Sequence, residues 1–544
     1  MNIVSRNTRR ALVGSNRSQV VISNYMDNSS NNKRIAKNSV FLSIRMVIVM
    51  LISLYTSRVI LRTLGVEDYG VYNVVCGFVS MFAFLNTSMS NGIQRFFNYE
   101  LGKNGPEGAN RVYVTSLLIQ FLLAVIIVVL TESFGLWYLH NKMVIPEGRM
   151  VAAEWVFQLS MVGFLIIIMQ VPYTAAVMAH EKMDFYAIMS VLDAVLKLVL
   201  VIILPYWDYD KLIAFGLLNL AIYFINFLLY YIFCKKKFVE ITLPRRKDIV
   251  IDKTMFGSML GFSSWNIFGS FSNMMRDQGI NLIMNYFYGP IVNAARGVAM
   301  QVNGAINNLV GSILTPVRPQ VIQSYARNEL DRSMRLTFSI SKFSLFFLVI
   351  LALPISVEIN YILHLWLGDV VPEHTQMFCI IILATTAVLI PMGALATLVH
   401  ASGKMVKYQL IGSTIKVLSV PIAYVMMKMG CSPEWALIAV LVFDAIGFFV
   451  GMFIIKTLMP FSISKYIKRV LVPVILVFTI SLIVELQIHQ NVANDLARLL
   501  LVLCLGTIVS VTSFYWIALD KAEKQLLYGM IVGYLKRRIN HNKQ

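Results

Sequence analysis

Runs of about 20 apolar residues recur along the whole chain, and that recurrence excludes most soluble folds. A helix needs about 20 such residues to cross the ~30 Å hydrocarbon core of a bilayer. The 544 residues are 58% hydrophobic and 14% charged, with a mean hydropathy of +0.70. We read fourteen spans, near residues 40–61, 72–92, 114–138, 154–178, 185–204, 212–233, 255–283, 292–315, 336–359, 377–400, 406–427, 434–457, 470–484 and 497–518. The seventh is long and the thirteenth short. The expected fold class is an all-α polytopic membrane protein.

The sequence also repeats itself. Val144-Ile-Pro-Glu147 recurs as Val370-Val-Pro-Glu373 at an offset of 226, which also relates Gln94 to Gln320 and Tyr99 to Tyr325. Gly65 and Gly289 pair at 224, and Pro172 with Pro391 and Lys197 with Lys416 at 219. Each copy holds six spans, so the chain returns to its starting side and the two lobes share one orientation. Their pseudo-two-fold axis then runs along the membrane normal, with cargo expected between the lobes near the midplane. The expected organisation is a polar tail at 1–37, lobes at 38–234 and 254–458, a basic linker at 235–253, spans 13 and 14 within 459–518, and a basic tail at 519–544. Met26 is a second candidate start. An interfacial helix is expected near residues 521–538.

Charge orients the spans. Lys235, Lys236 and Lys237, Arg245 to Lys247, Arg327 to Arg335, Lys465 to Arg469 and Lys536 to Arg538 all fall on the side of the N-terminus, whereas the opposite loops hold few cations. By the positive-inside rule both termini are expected in the cytoplasm. The net charge of +19 then faces anionic lipid and needs no nucleic acid. The five cysteines show no paired or metal-ligand spacing. No nucleotide-binding, zinc-hydrolase or serine-hydrolase motif is present, so no catalytic residue, metal or cofactor is expected.

Charges at membrane depth cost roughly 2.5 to 3.5 kcal/mol each on insertion scales and so mark cavities or partners. They are Arg45 and Arg58 in the first span, Asp193 and Lys197 in the fifth, Arg276 and Asp277 in the seventh, Arg296 in the eighth, Lys416 in the eleventh and Asp444 in the twelfth. Six cations against three carboxylates favour anionic cargo. Arg45 and Arg58 lie close enough to span ends to snorkel. Asp193 and Lys197, one turn apart, can neutralise each other, whereas Lys416 has no acid four residues before it. Arg276 has Asp277 beside it, but adjacent helical side chains diverge, which makes it the foremost cargo-contact candidate. Asp444 reads as a structural partner for one of these cations. Asp193, Asp277 and Asp444 are also the candidates for proton or sodium coupling.

Asn266, Ser270, Asn273 and Asp277 share one face of the seventh span, and Asn293, Gly297, Gly304, Asn307 and Gly311 one face of the eighth. Those faces are expected to line a hydrophilic passage suited to hydroxyl-rich cargo. The spacings Gly257-x-x-x-Gly261 and Gly447-x-x-x-Gly451 read as close helix packing.

Three segments carry a family resemblance: Thr56-Ser-Arg-Val-Ile-Leu-Arg-Thr-Leu-Gly-Val-Glu-Asp-Tyr-Gly-Val-Tyr72, Asn293-Ala-Ala-Arg-Gly-Val-Ala-Met-Gln301 and Pro319-Gln-Val-Ile-Gln-Ser-Tyr-Ala326. Together with His364-Leu-Trp-Leu-Gly-Asp369 they resemble the polysaccharide repeat-unit flippases, the Wzx-like branch of the MOP superfamily. The resemblance implies a MATE-like pair of six-helix lobes with two further helices in the bacterial cytoplasmic membrane. It also implies cargo of undecaprenyl-pyrophosphate-linked oligosaccharide, moved from the inner to the outer leaflet, with polysaccharide assembly proteins as candidate partners. A cation-coupled multidrug exporter of the same superfamily is the first alternative, and would be expected to carry an intramembrane acid in its first lobe. A polyprenyl-dependent glycosyltransferase using Glu67 or Asp68 is the second; the internal repeat argues against it.

Overall fold

The computed structural model describes residues 48–525 apart from 181, 243–252, 315–320, 323, 326, 403 and 522. Arg45, the N-terminal tail, most of the linker and the expected helix at 521–538 beyond residue 525 lie outside the described residues.

In lipid every backbone amide must find its partner within its own segment, and the chain answers with helices throughout. In the first lobe, α1 is Ile48–Ser80, α2 Ala83–Leu130, α3 Leu136–Asn141, α4 Met150–Ala179, α5 Met183–Ile203 and α6 Lys211–Lys237. In the second, α7 is Lys253–Tyr288, α8 Pro290–Leu314, α9 Leu330–Val357, α10 Ile359–Leu367, α11 Thr375–Ser402, α12 Met405–Lys428 and α13 Glu434–Leu458. Beyond the repeat come α14 Ile463–Tyr466, α15 Val472–Asn491 and α16 Asp495–Ser513. A π-helical turn at Thr131–Gly135 joins α2 to α3, and another at Ile467–Leu471 joins α14 to α15.

Eleven helices among the described residues are long and apolar enough to cross a membrane. Helices α7 and α8 have the length, 36 and 25 residues, but carry too many amides and charges. Gly65, with φ +80°, divides α1 into the first and second expected spans. These three additions bring the tally to the fourteen read from sequence. The expected loop at 93–113 is corrected to helix: α2 runs through it, kinked at Gly105 (φ +61°, ψ −152°), because polar helical turns can continue past the bilayer into water. The thirteenth span is likewise corrected, from a short segment to Ile463–Asn491.

The repeat is visible in the backbone. Gly65 and Gly289 both adopt left-handed φ, +80° and +75°, as do Gly148 and its counterpart His374, +80° and +67°. Pro172 and Pro391 lie inside α4 and α11. Close packing through small residues holds at Gly451, where an added Cβ would lie 3.2 Å from the Tyr408 ring, but not at Gly257, where it would meet nothing within 4 Å.

The last two spans dock on the second lobe through buried charge. Glu358, fully buried at the end of α9, accepts both Arg498 Nε contacts at 3.0 Å and lies 2.7 Å from His489 Nδ1. Lys342 in α9 donates to the Ala518 carbonyl at 2.9 Å and to Glu523 at 2.5 Å. Between them Phe346 stacks on Phe514 with centroids 3.6 Å apart.

Candidate transport pathway

The two ends of the lobe interface differ. One end carries Lys235, Lys236, Lys237, Lys404, Lys407, Lys465 and Arg469, and is called the basic end below. At the far end the lobes touch. An added Cβ on Gly70 would fall 2.0 Å from the Pro290 carbonyl oxygen, and one on Gly297 would fall 2.9 Å from the Asn73 amide. Asn285, 1% exposed, accepts from the Val144 amide at 2.8 Å and donates to the Val144 carbonyl at 3.3 Å and to Asn293 at 3.0 Å. Asn293 donates to the carbonyl and side-chain oxygens of Asn281 at 2.8 and 2.9 Å. Asn281 reaches the Asn73 carbonyl at 3.4 Å, and Gln301 donates to the Tyr69 hydroxyl at 2.6 Å. A chain of buried amides therefore seals the far end.

That arrangement corrects the reading of Asn293 as part of a water-lined face. It is 1% exposed, and its amide serves the seal. The polar row on α7, Asn273, Asp277, Asn281 and Asn285 at four-residue spacing, runs from the charged middle of the helix into this seal. Sequence reasoning stopped the row at Asp277 and missed Asn281, Asn285 and Tyr69.

Toward the basic end the lobes part around a cavity of about 380 Å³. It is lined from the first lobe by Val49, Met50, Ser53, Leu54, Tyr186 and Ser190, and from α8 by Gln301, Gly304, Ala305 and Asn308. Among the described residues its polar groups are neutral hydroxyls and amides. None of the sequence-predicted cations among the described residues lines it.

Those cations sit elsewhere. Arg276, 7% exposed, grips Asp444 with one NH1 at 2.9 and 2.7 Å and Asp277 with Nε at 3.0 Å. The expectation that Asp277 would leave it unquenched is therefore corrected: both carboxylates engage it, and Asp444 is its structural partner. Asp444 is itself fully buried, and breaking such a pair costs about 3–5 kcal/mol. Arg296 is buried beside it, donating NH2 to the Asp277 carbonyl at 2.9 Å while its Nε has no partner. Lys416 donates to Asn273 at 3.0 Å. Lys197 bonds Asp193 at 2.8 Å, and Asn226 donates to the other Asp193 oxygen at 2.9 Å, the mutual neutralisation expected from their spacing. Arg58 reaches across to the Leu365 carbonyl at 3.4 Å. Asn307 donates to Asn303 at 3.0 Å. The Asn266 side chain lies outside the described residues.

Each lobe encloses a cavity of its own, and the two correspond. At offset 224, Tyr72, Cys76 and Val79 match Arg296, Met300 and Asn303. The first three line a space of about 230 Å³ with Ser160, Asn219 and Tyr223. The second three line about 210 Å³ with Arg276, Asp277, Thr385 and Thr386. Helix α8 separates this charged space from the interlobe cavity, since Met300 and Asn303 face one and Gln301 and Gly304 the other. The repeat has kept the hole and changed its chemistry: neutral in the first lobe, ionic in the second.

A further cluster, missed from sequence, braces the far end of the first lobe. Arg149 donates to Asp68 at 2.7 and 2.6 Å and to Asp210 at 2.5 and 3.2 Å. Burial acts to raise the Asp210 carboxyl, but hydrogen bonds from Arg149 and from the Ile213 and Leu212 amides outweigh it and hold Asp210 below its ordinary value. With Asp68 bound in this way, its geometry is that of a brace between α1, α4 and α6. Among the described residues no group of three His, Cys, Asp or Glu side chains could hold a metal.

Two lobes of six membrane helices around a central cavity define the MATE-type transporter fold. The MatE family model matches residues 42–203. An inward-facing multidrug resistance MATE family transporter of the MOP superfamily superposes with a TM-score of 0.63 at 16% identity, over 78% of this chain and 99% of that one. The lipid II flippase MurJ, in an inward closed conformation, gives 0.66 at 15% identity over 88% and 98%. By sequence the chain is 19% identical over 285 residues to an uncharacterized membrane protein, EpsK, of Bacillus subtilis (strain 168). That match spans 52% of this chain and 55% of EpsK, about half the length of the curated relative.

Proposed function

We propose that this chain is a flippase for polyprenyl-pyrophosphate-linked oligosaccharide, carrying repeat units from the inner to the outer leaflet of the bacterial cytoplasmic membrane for surface polysaccharide. The observation that carries the reading is the interlobe cavity at the basic end, whose polar lining among the described residues, Ser53, Tyr186, Ser190, Gln301 and Asn308, is neutral. Hydroxyls and amides offer both donors and acceptors, which suits a glycan and suits a cationic drug poorly. The positive-inside rule puts the basic end in the cytoplasm, so the cavity opens where lipid-linked repeat units are made and the amide seal lies outside. Cargo enters from the inner leaflet, the lobes rock about the linker, the seal opens and the glycan leaves outside. The polyprenyl chain stays in lipid at the edge of the lobes.

The overlap with the MurJ fold covers a tenth more of the chain than the MATE overlap does, a length similar to that of the two spans beyond the repeat. The alternative, a cation-coupled exporter, needs a free acid in the first lobe. Among the described residues the intralobe cavity there is lined by neutral groups, Asp193 is held by Lys197 and Asn226, and Glu132, outside that cavity, accepts from Gln158 at 3.4 Å.

The test uses Gly304, where an added side chain meets nothing within 4 Å. Gly304→Trp projects into the interlobe cavity. In cells whose surface polysaccharide depends on this chain, the variant is expected to insert normally, abolish the polysaccharide and accumulate lipid-linked repeat units at the inner leaflet. Full surface polysaccharide with that variant would refute the assignment of the cavity to the cargo path.

A further inference from the structure

Glu485 lies in α15, within the membrane-spanning stretch Ile463–Asn491. It is 0% exposed, and neither of its carboxyl oxygens has a hydrogen-bond partner. Its side chain rests on Gly506 of α16: a Cβ there would lie 2.5 Å from Oε1 and 2.9 Å from Cδ. One turn earlier on α15, Ser481 shares a 2.8 Å hydroxyl bond with Ser510 of α16. Helix α16 thus has a glycine where the carboxyl sits and a serine where the neighbouring hydroxyl sits, a fitted contact between the last two spans.

Among the described residues, four other carboxylates at depth are answered by cations, and Glu132 by the Gln158 amide at 3.4 Å. Asp193 has Lys197, Asp277 and Asp444 have Arg276, and Glu358 has Arg498 and His489. The charged and titratable groups on the helices packed around Glu485 are already engaged or distant. On α15 itself His489 faces Glu358, and on α9 Glu358 faces Arg498 and Lys342 faces Glu523. On α16 Asp495 and Arg498 pair with each other, and Cys504 is exposed. Lys468 and Arg469 sit at the basic end of the same span, roughly 24 Å along the helix. An ionised carboxylate without a partner in such surroundings is not sustained.

We propose that Glu485 is a proton-binding site: the carboxyl carries its proton while α15 and α16 are packed, and loss of that proton to solvent leaves a carboxylate that parts the two helices. The route for the proton is short, since Glu485 is six residues, or about 9 Å, from the far end of α15. The pair of spans outside the repeat thereby senses protons at the face opposite the basic loops.

The test is made on the full chain in lipid nanodiscs. The infrared difference spectrum between wild type and Glu485→Gln at neutral pH is expected to show the C=O stretch of a protonated carboxylic acid, lost in the variant. Gln is neutral and nearly isosteric, and the unfolded carboxyl is already ionised at pH 6, so the Tm of the variant is expected to exceed that of wild type somewhat at pH 6 and by more at pH 9. A carboxylate band in place of the acid band, or a Tm difference that is the same at both pH values, would overturn the proposal. The infrared measurement on wild type, made at both pH values, decides the matter even where the variant does not fold.

Discussion

Substituting Gly70 by Ala tests whether the far-end seal is a gate. An added Cβ would lie 2.0 Å from the Pro290 carbonyl oxygen and 2.6 Å from its carbon, both rigid backbone atoms, whereas ordinary contact begins near 3.4 Å. The lobes must part there by about 1.4 Å, the difference between those two distances. A shift of that size along the Val144 to Asn285 bond takes it from 2.8 Å beyond hydrogen-bonding range. Overpacking costs about 1–3 kcal/mol and each lost hydrogen bond about 0.5–1.5 kcal/mol. A penalty on the order of 3 kcal/mol falls on the sealed state alone and shifts the balance of conformers roughly 150-fold. In a cysteine-free background, spin labels at the exposed positions Glu147 and Asp369 report the far end by pulsed dipolar spectroscopy, and labels at Lys103 and Asp331 report the basic end. Gly70→Ala is expected to lengthen the first distance and shorten the second. A folded variant with both distributions unchanged would refute the gate.

Other perturbations reach different parts of the account. Asp444→Asn leaves Arg276 buried with only Asp277 and is expected to lower stability by about 3–5 kcal/mol, while the double variant Arg276→Met, Asp444→Leu recovers most of it; thermal unfolding in detergent reads both. Asp210 is held below its ordinary carboxyl value, so its contribution to stability is present above the ordinary value and is lost as pH falls through the depressed one. Asp210→Asn should accordingly lower Tm at neutral pH and flatten the acid limb of the Tm profile, and an unchanged acid limb would contradict the brace. Asn285→Leu removes the cross-lobe amide bonds without adding volume at Gly70, and is expected to speed opening of the far end, read as faster labelling of a cysteine placed at Val292, which is 4% exposed in the sealed state.

Much of the fold was legible because lipid permits few alternatives: twenty-residue apolar runs and an even-numbered repeat imply stacked helices in two like-oriented lobes. The errors came where helices leave the membrane, as at Lys103 to Arg111, since hydropathy reports the bilayer and not the helix. The candidate site was less legible. Depth and charge singled out Arg276, Arg296 and Asp444, all buried, and Asp277, which stays partly exposed, but a sequence does not say that residues 168 positions apart form one ion pair. Nor does it say which face of α8 meets which cavity, so the neutral residues Gln301 and Asn308 were passed over in favour of cations behind them. Glu485 was hidden for a related reason: it ends the apolar run of its span, and only the packing against Gly506 reveals that it is fully enclosed.

The central claim is movement of a lipid-linked glycan across the bilayer, and leaflet accessibility measures it directly. Purified full chain is reconstituted into vesicles with a polyprenyl-pyrophosphate-linked oligosaccharide present in both leaflets, and a membrane-impermeant glycosidase is added outside. The account predicts that protein-containing vesicles lose nearly all of the glycan, that protein-free and Gly304→Trp vesicles stop at the outer-leaflet half, and that a lipophilic cation dye is not moved. Protection of the inner half in wild-type vesicles, together with export of the dye, would contradict it.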